Sequence, residues 1–188
     1  VIFTRGATDS INIIANSLIK KFQDGGQVVI TELEHHSNYL PWMKICDNSN
    51  LELKIVPVNE NGIIDEQQII DICSDTTKIL AITHMSNVTG QILDIKKIKS
   101  SISKDILIAL DGCQSIAHCN IDVQDLDCDF YSFSSHKLYG PSGVGILFGK
   151  QKILEDIDPP FLGGGMINDV SLSTFSYADL PNKFEPGT

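Results

Sequence analysis

The sequence predicts an α/β domain with a mostly parallel central sheet flanked by helices. Apolar runs of strand length alternate with segments whose apolar residues recur at helical spacing, and the order strand, helix, strand repeats several times. Polar clusters then fall just beyond several of the strands, where an open α/β sheet binds its ligands. With 42% hydrophobic and 20% charged residues among 188, the chain has enough apolar material for a core.

Val1–Thr4 is a short apolar strand. After Gly6, the residues Ile11, Ile14, Ala15, Leu18 and Ile19 recur at helical spacing, which places Ala7 or Thr8 near a helix N-terminus. Gln27–Thr31 reads as a strand, Ser37–Cys46 as a helix and Leu51–Val58 as a strand. Asp65–Cys73 reads as a helix and Lys78–Thr83 as a strand. Asp94–Ile102 is a lysine-rich amphipathic helix leading into the apolar strand Ile106–Leu110, which ends abruptly at Asp111-Gly112. Phe130–Ser134 and Val144–Phe148 are two further strands flanking the turn-rich Tyr139-Gly140-Pro141-Ser142-Gly143. Gly163-Gly164-Gly165 reads as a flexible loop and matches no nucleotide-binding fingerprint. There is no internal repeat, low-complexity tract or long linker. Val1 is not an initiator Met and the sequence stops in a turn after Pro186-Gly187, so the expectation is a domain cut from something longer.

Lys and Arg total 14 against 24 Asp and Glu, a formal charge of −10, which argues against nucleic acid and acidic membranes as partners. The longest apolar runs fall far short of the roughly 20 residues that cross a bilayer. Val1-Ile2-Phe3 runs into Thr4-Arg5-Gly6 without a basic n-region or cleavage site, and a cytoplasmic location is expected. The five cysteines, Cys46, Cys73, Cys113, Cys119 and Cys128, are odd in number and lack a C-x-x-C pair, so neither a disulfide framework nor a metal site is expected. Asn87-Val88-Thr89 matches a glycosylation sequon, which has no meaning in a cytosolic chain.

The polar residues at the strand ends are Gly6-Ala7-Thr8, His35-His36, Ser86-Asn87, Asp111 with Gln114, and Ser134-Ser135-His136-Lys137. Taken singly, each has a structural explanation: a turn-capping Asp111, a solvated His35-His36 pair, a surface Lys137. Together they suit pyridoxal phosphate, which needs a lysine for a Schiff base, an acid to keep its pyridine nitrogen protonated, and an anion site. The helix end at Ala7-Thr8 supplies free N–H groups for a phosphate, with Ser134 and His136 as further donors. Lys137 is the amine and Asp111 the acid. Gln114 is a donor to the phenolate oxygen, and His35 is a ring that stacks on the cofactor.

The strings Glu34-His35-His36-Ser37-Asn38-Tyr39-Leu40-Pro41-Trp42, Thr83-His84-Met85-Ser86-Asn87-Val88-Thr89-Gly90 and Asp111-Gly112-Cys113-Gln114 resemble the class V aminotransferase family. The run from Ser134 to Gly145, with Gly163-Gly164-Gly165-Met166-Ile167 and Phe184-Glu185-Pro186-Gly187-Thr188, resembles the group II cysteine desulfurases within it. The resemblance implies the large domain of a fold-type I pyridoxal-phosphate-dependent transferase over residues 1–188, without the N-terminal segment and C-terminal small domain of the whole enzyme. It implies Lys137, His35 and Asp111 as catalytic residues. Ala7 (through its backbone amide, where many relatives carry Thr), Thr8, Asn87, Gln114, Ser134 and His136 join them around the cofactor, and no metal is involved. Thr188 matches a threonine that reaches the phosphate of the neighbouring subunit, which implies a homodimer. The region Ser171 to Tyr177 follows the family pattern only in part.

The implied activity converts L-cysteine to L-alanine and passes the sulfur, as a persulfide, to an acceptor protein for assembly on an iron–sulfur scaffold. In the family the sulfur-accepting cysteine and a carboxylate-clamping arginine lie at positions beyond Thr188, so the segment by itself is expected to be inactive. Cys113 occupies a place usually filled by a small residue such as Ala and does not match the nucleophile. A selenocysteine lyase or another class V enzyme is the nearest alternative, and a non-catalytic remnant of the fold is the alternative from another class.

Overall fold

Five strands of one sheet run parallel because their apolar runs are joined by helical crossovers rather than tight turns. A computed structural model describes residues 1–187, and Thr188 lies outside the described residues. The elements are β1 (Ile2–Thr4), α1 (Ala7–Leu18), β2 (Gly26–Thr31), α2 (His36–Asp47), β3 (Leu51–Val56), α3 (Glu66–Ile72), β4 (Thr77–Thr83) and α4 (Ile95–Ser101). They continue as β5 (Leu107–Asp111), α5 (Ser115–His118), β6 (Phe130–Ser134), β7 (Gly145–Gly149), α6 (Gln151–Asp156), β8 (Ile167–Val170) and β9 (Phe175–Tyr177). The first seven strands form one sheet in the order β1-β7-β6-β5-β4-β2-β3, while β8 and β9 pair as a separate hairpin. Strands β2 to β6 pair in parallel, and β7 runs antiparallel to both β1 and β6.

Alternation along the central strands builds a core on each face of the sheet. Ile79, Ala81, Ala109 and Phe130 join Ile11, Ile14 and Leu18 of α1 and Trp42 of α2 on one face. Leu80, Ile82, Ile108, Leu110 and Tyr131 meet Ile69 of α3 and Ile95 and Ile98 of α4 on the other. Both faces of the strands are therefore covered, and their carboxyl ends remain as the place where polar side chains collect. Among the described residues, no helix is long and apolar enough to cross a membrane.

The expected strands and helices are present with ends moved by a residue or two. The strand expected to reach Val58 stops at Val56, because Pro57 has no N–H for the ladder. Asp65 and Asp94 stand outside their helices as N-caps, their carboxylates accepting from Gln67 N–H at 2.9 Å and Lys97 N–H at 3.0 Å. Asp111, expected just past its strand, is the last strand residue, paired in register with Thr83 on one side and Ser132 on the other. Helices α5 and α6 and the β8–β9 hairpin have no signature in the sequence periodicity. The helices are four and six residues long, too short to show a period, and the hairpin carries mostly polar or exposed side chains. The glycine run at 163–165 differs from the flexible loop expected: Gly187 N–H donates to the Gly164 carbonyl at 2.7 Å, and the adjoining Met166 is fully buried.

Gly145 sits between Thr4 of β1 and Ser134 of β6 in the ladder. A Cβ there would lie 2.4 Å from the Gly6 Cα and 2.5 Å from the Gly6 carbonyl carbon. Gly6 itself has φ 152°, open to glycine and strained for other residues, and it turns the chain from β1 into α1. Two glycines thus let the start of α1 sit against the end of β6. Gly145→Ala is expected to destabilise the fold by about 1–3 kcal/mol, because backbone rather than a pliable side chain must yield. Urea unfolding at constant m-value reads the loss, and a variant as stable as the parent would contradict the close approach.

Candidate active site

A cavity of about 230 Å³ opens at the carboxyl ends of the parallel strands. It is lined by Ala7, Thr8, His35, Asn87, Asp111, Gln114, Ser134, His136 and Lys137 together with Ser37, Thr83, Met85 and Cys113. Every residue expected from the sequence is thus brought to one place, apart from Thr188, which lies outside the described residues. The nine expected residues come from five separate stretches of chain, and each has a local reason for its position.

Ala7 and Thr8 open α1, whose N-cap Gly6 has no side chain to satisfy the first-turn N–H groups. The Ala7 N–H donates to Ser134 Oγ at 2.8 Å, which ties the helix end to the end of β6. A shallower cleft of about 660 Å³ adjoins this corner and shares Thr8, Ser134 and His136 with the first cavity. His136 and Lys137 follow Ser134 in a single 3-10 turn, Ser135–Leu138. That turn is closed by Tyr139 in the left-handed conformation at φ 58°, by Gly140 N–H donating to the Ser135 carbonyl at 2.9 Å, and by a short bond from Ser135 Oγ to the Pro141 carbonyl. Lys137 therefore projects from a braced platform rather than a loose loop.

Asp111 is 4% exposed, and its Oδ1 accepts from the Cys113 N–H at 3.0 Å. One carboxylate oxygen thus does cap the turn, as the structural explanation requires, while the side chain also lines the cavity. Behind it, Gly112 leaves room for the Tyr131 ring, whose hydroxyl lies 2.7 Å from Ser115 Oγ and 3.4 Å from His84 Nδ1. Gln114 is the N-cap residue of α5. Asn87 stands on a turn held by Ser86, whose hydroxyl accepts from the N–H groups of Val88 and Thr89 at 3.2 Å each. His35 is the N-cap of α2, its Nδ1 accepting from the Ser37 N–H at 3.1 Å.

Burial, then the charge of Asp111, pushes the Cys113 thiol up to about 12. Burial pushes Cys46 and Cys73 up to about 11 and Cys128 up to about 12. Burial thus disfavours the thiolate form at all four positions. Among the described residues, no group of three or more His, Cys, Asp or Glu is placed to hold a metal ion.

The donor set passes a chemical test for pyridoxal phosphate. Hydroxyl and amide donors stand at the α1 corner of the cavity, a buried carboxylate stands at β5, and Lys137 brings an amine to the same wall. Ser37, Thr83 and Met85 also line the cavity, and Glu34 supports it, although their residue types and positions in the sequence do not point to the site. Glu34 lies in the polar run Thr31-Glu32-Leu33-Glu34-His35-His36, where one more carboxylate has no distinguishing mark, and the place two residues after an N-cap gives Ser37 no chemical signature.

The aminotransferase class-V family matches residues 1–188, the whole chain. A cysteine desulfurase of Pectobacterium atrosepticum is 43% identical over 191 residues, covering 100% of this chain and 47% of that protein. A probable cysteine desulfurase of Staphylococcus epidermidis is 45% identical over 190 residues, covering 100% of this chain and 46% of that protein. The crystal structure of a cysteine desulfurase from Escherichia coli superposes with a TM-score of 0.94 at 36% identity, over 100% of this chain and 47% of that one. The chain thus spans about half the length of the relatives it matches.

Glu34 ties the site together from below. Its carboxylate accepts from Thr31 Oγ1 at 2.7 Å, from the Thr83 N–H at 3.0 Å and from Asn38 Nδ2 at 2.6 Å, and Asn38 in turn accepts from Trp42 Nε1 at 3.0 Å. Burial raises its pKa from an ordinary 4.5 to about 7 against the pull of the three donors, and nearby Asp111 adds to the rise. The folded state therefore favours the protonated carboxyl. Its stabilising contribution is complete below about 4.5 and is lost as pH rises through about 7, a swing on the order of 3 kcal/mol. Unfolding free energies measured at pH 5 and pH 7.5 are expected to show this fall in the parent and a much smaller one in Glu34→Gln. Equal pH dependence in the two proteins would refute the shift.

Proposed function

We propose that this chain, which belongs to the aminotransferase class-V family, is the cofactor-binding large-domain portion of a pyridoxal-phosphate-dependent cysteine desulfurase. The observation that carries the reading is the convergence of Lys137, Asp111, Gln114, His35 and the phosphate-type donors on one cavity. The names of relatives at 43% and 45% identity supply the substrate class.

In this reading the α1 end at Ala7-Thr8, with Ser134 and His136, holds the phosphate. The Asp111 carboxylate, 4% exposed, holds a proton on the pyridine nitrogen, and burial strengthens that interaction. Gln114 and Asn87 would offer hydrogen-bond donors to the ring's oxygen, and the His35 imidazole would be the flat group available to stack on the ring. When bound, the cofactor supplies an electron sink for charge that develops at the substrate α-carbon. Lys137 Nζ would be the amine that holds the cofactor, and the same amine would be the base for the substrate α-proton. The substrate is L-cysteine and the product L-alanine. A cysteine thiolate from outside these 188 residues would attack the substrate sulfur, forming the S–S bond of a persulfide as the Cβ–S bond breaks and its electron pair returns to carbon, and the sulfur would then pass to an acceptor protein and an iron–sulfur scaffold.

A homodimer completes the reading. Leu40 is 49% exposed and Met43 36% exposed on the outer side of α2, where they border a groove with Asn12 of α1. Five free thiols fit a cytoplasmic location.

Lys137→Ala in the full-length protein is expected to abolish the visible absorption of the bound cofactor and nearly all turnover. Borohydride reduction of the parent followed by peptide mapping should mark Lys137, and a label on another lysine would sink the assignment. Asp111→Asn is expected to retain cofactor while turnover falls about 10²-fold or more. If Asp111 served only as a turn cap, its loss would cost about 0.5–2 kcal/mol of stability and leave turnover near that of the parent. Rate and melting temperature on the same variant distinguish these roles.

A further inference from the structure

The first turns of α1 and α2 meet through hydroxyl groups at the cavity wall. Thr8 Oγ1 lies 2.7 Å from Ser37 Oγ, and Ser37 Oγ lies 3.1 Å from His35 Nδ1. The backbone N–H of Ser37 donates to the same His35 nitrogen at 3.1 Å. All three side chains line the same cavity.

The protons in this chain can be counted. His35 Nδ1 accepts the Ser37 N–H, so in the neutral imidazole the ring proton sits on Nε2. Turned toward His35, the Ser37 hydroxyl proton shares the one Nδ1 lone pair with the Ser37 N–H, each donor atom standing 3.1 Å away, and the Ser37 oxygen is then open to the Thr8 hydroxyl proton. The order Thr8 to Ser37 to His35 gives each hydroxyl proton an acceptor. A hydroxyl has one proton, so whatever Thr8 binds changes what Ser37 offers to His35.

We propose that Ser37 is a positioning residue whose hydroxyl couples Thr8, at the anion-binding end of α1, to the imidazole of His35. Through it, the groups that hold the phosphate and the ring that covers the cofactor are set together rather than independently. The N-cap bond of α2 does not need this hydroxyl, because the Ser37 backbone supplies it. Alanine is also the better helix former. Ser37→Ala therefore removes the coupling while leaving the fold in place.

The test uses the full-length protein labelled with ¹⁵N, first without cofactor. Thr8→Val is expected to shift the His35 imidazole resonances in the parent and in Ser37→Thr, which keeps a hydroxyl, and to leave them unmoved in Ser37→Ala. Resonances that ignore Thr8→Val in the parent, or that shift equally in Ser37→Ala, overturn the proposal. In a second arm, which rests on the proposed function, Ser37→Ala is expected to weaken pyridoxal phosphate binding about threefold to tenfold and to change the visible circular dichroism of the bound ring, with Ser37→Thr restoring both. Binding and dichroism identical to the parent's overturn the coupling. A parent that takes up no pyridoxal phosphate overturns the functional reading instead, while the cofactor-free arm still decides the role of Ser37.

Discussion

The hydrogen-bond ladder across β4, β5 and β6 brings Thr83, Asp111 and Ser132 level with one another. The rest of the molecule depends on that register. A slip of one residue would turn Asp111 toward the opposite face and bring Leu110 to the place it occupies. What prevents the slip is burial on both faces, since Ile79, Ala81 and Ala109 face one core while Leu80, Ile82, Ile108 and Leu110 face the other. The apolar cores therefore specify the position of a carboxylate that takes no part in them.

A second constraint joins the antiparallel edge to that ladder. Thr4, Gly145 and Ser134 stand side by side across β1, β7 and β6, and the Gly6–Gly145 approach lets the Ala7 amide reach Ser134 Oγ. The donors at this corner thus come from residues more than a hundred positions apart. Their arrangement is rigid because backbone, rather than long side chains, makes the contact.

The electrostatics of the site run against those of the chain. A molecule with a formal charge of −10 offers an anion little at long range, and in the proposed reading the attraction is local: a helix end, two hydroxyls, His136 and Lys137. Two carboxyl groups, Glu34 and Asp111, lie close by. Glu34 is drawn toward its protonated form near neutrality, which limits the negative charge beside Asp111. The three donors on Glu34 also hold the turn that carries His35 against the end of β4.

The alternation of apolar runs and the polar residues at the strand ends were enough, in sequence, to establish the layered α/β architecture, most of its elements and the candidate residues of the site. These are local properties: a period is visible within a dozen residues, and Ser134-Ser135-His136-Lys137 is continuous in the chain. The short helices α5 and α6 and the polar β8–β9 hairpin left no such period, and their formation waited on the surface against which they settle. Glu34 carried no sign in its own neighbourhood that its carboxyl would be buried against Thr83, 49 positions away. Ser37 likewise acquires a chemical context only when α2 docks on α1 and brings its hydroxyl to Thr8, 29 positions away. Burial and proximity are properties of the packed chain, so the groups whose chemistry depends on them were decided by tertiary structure alone.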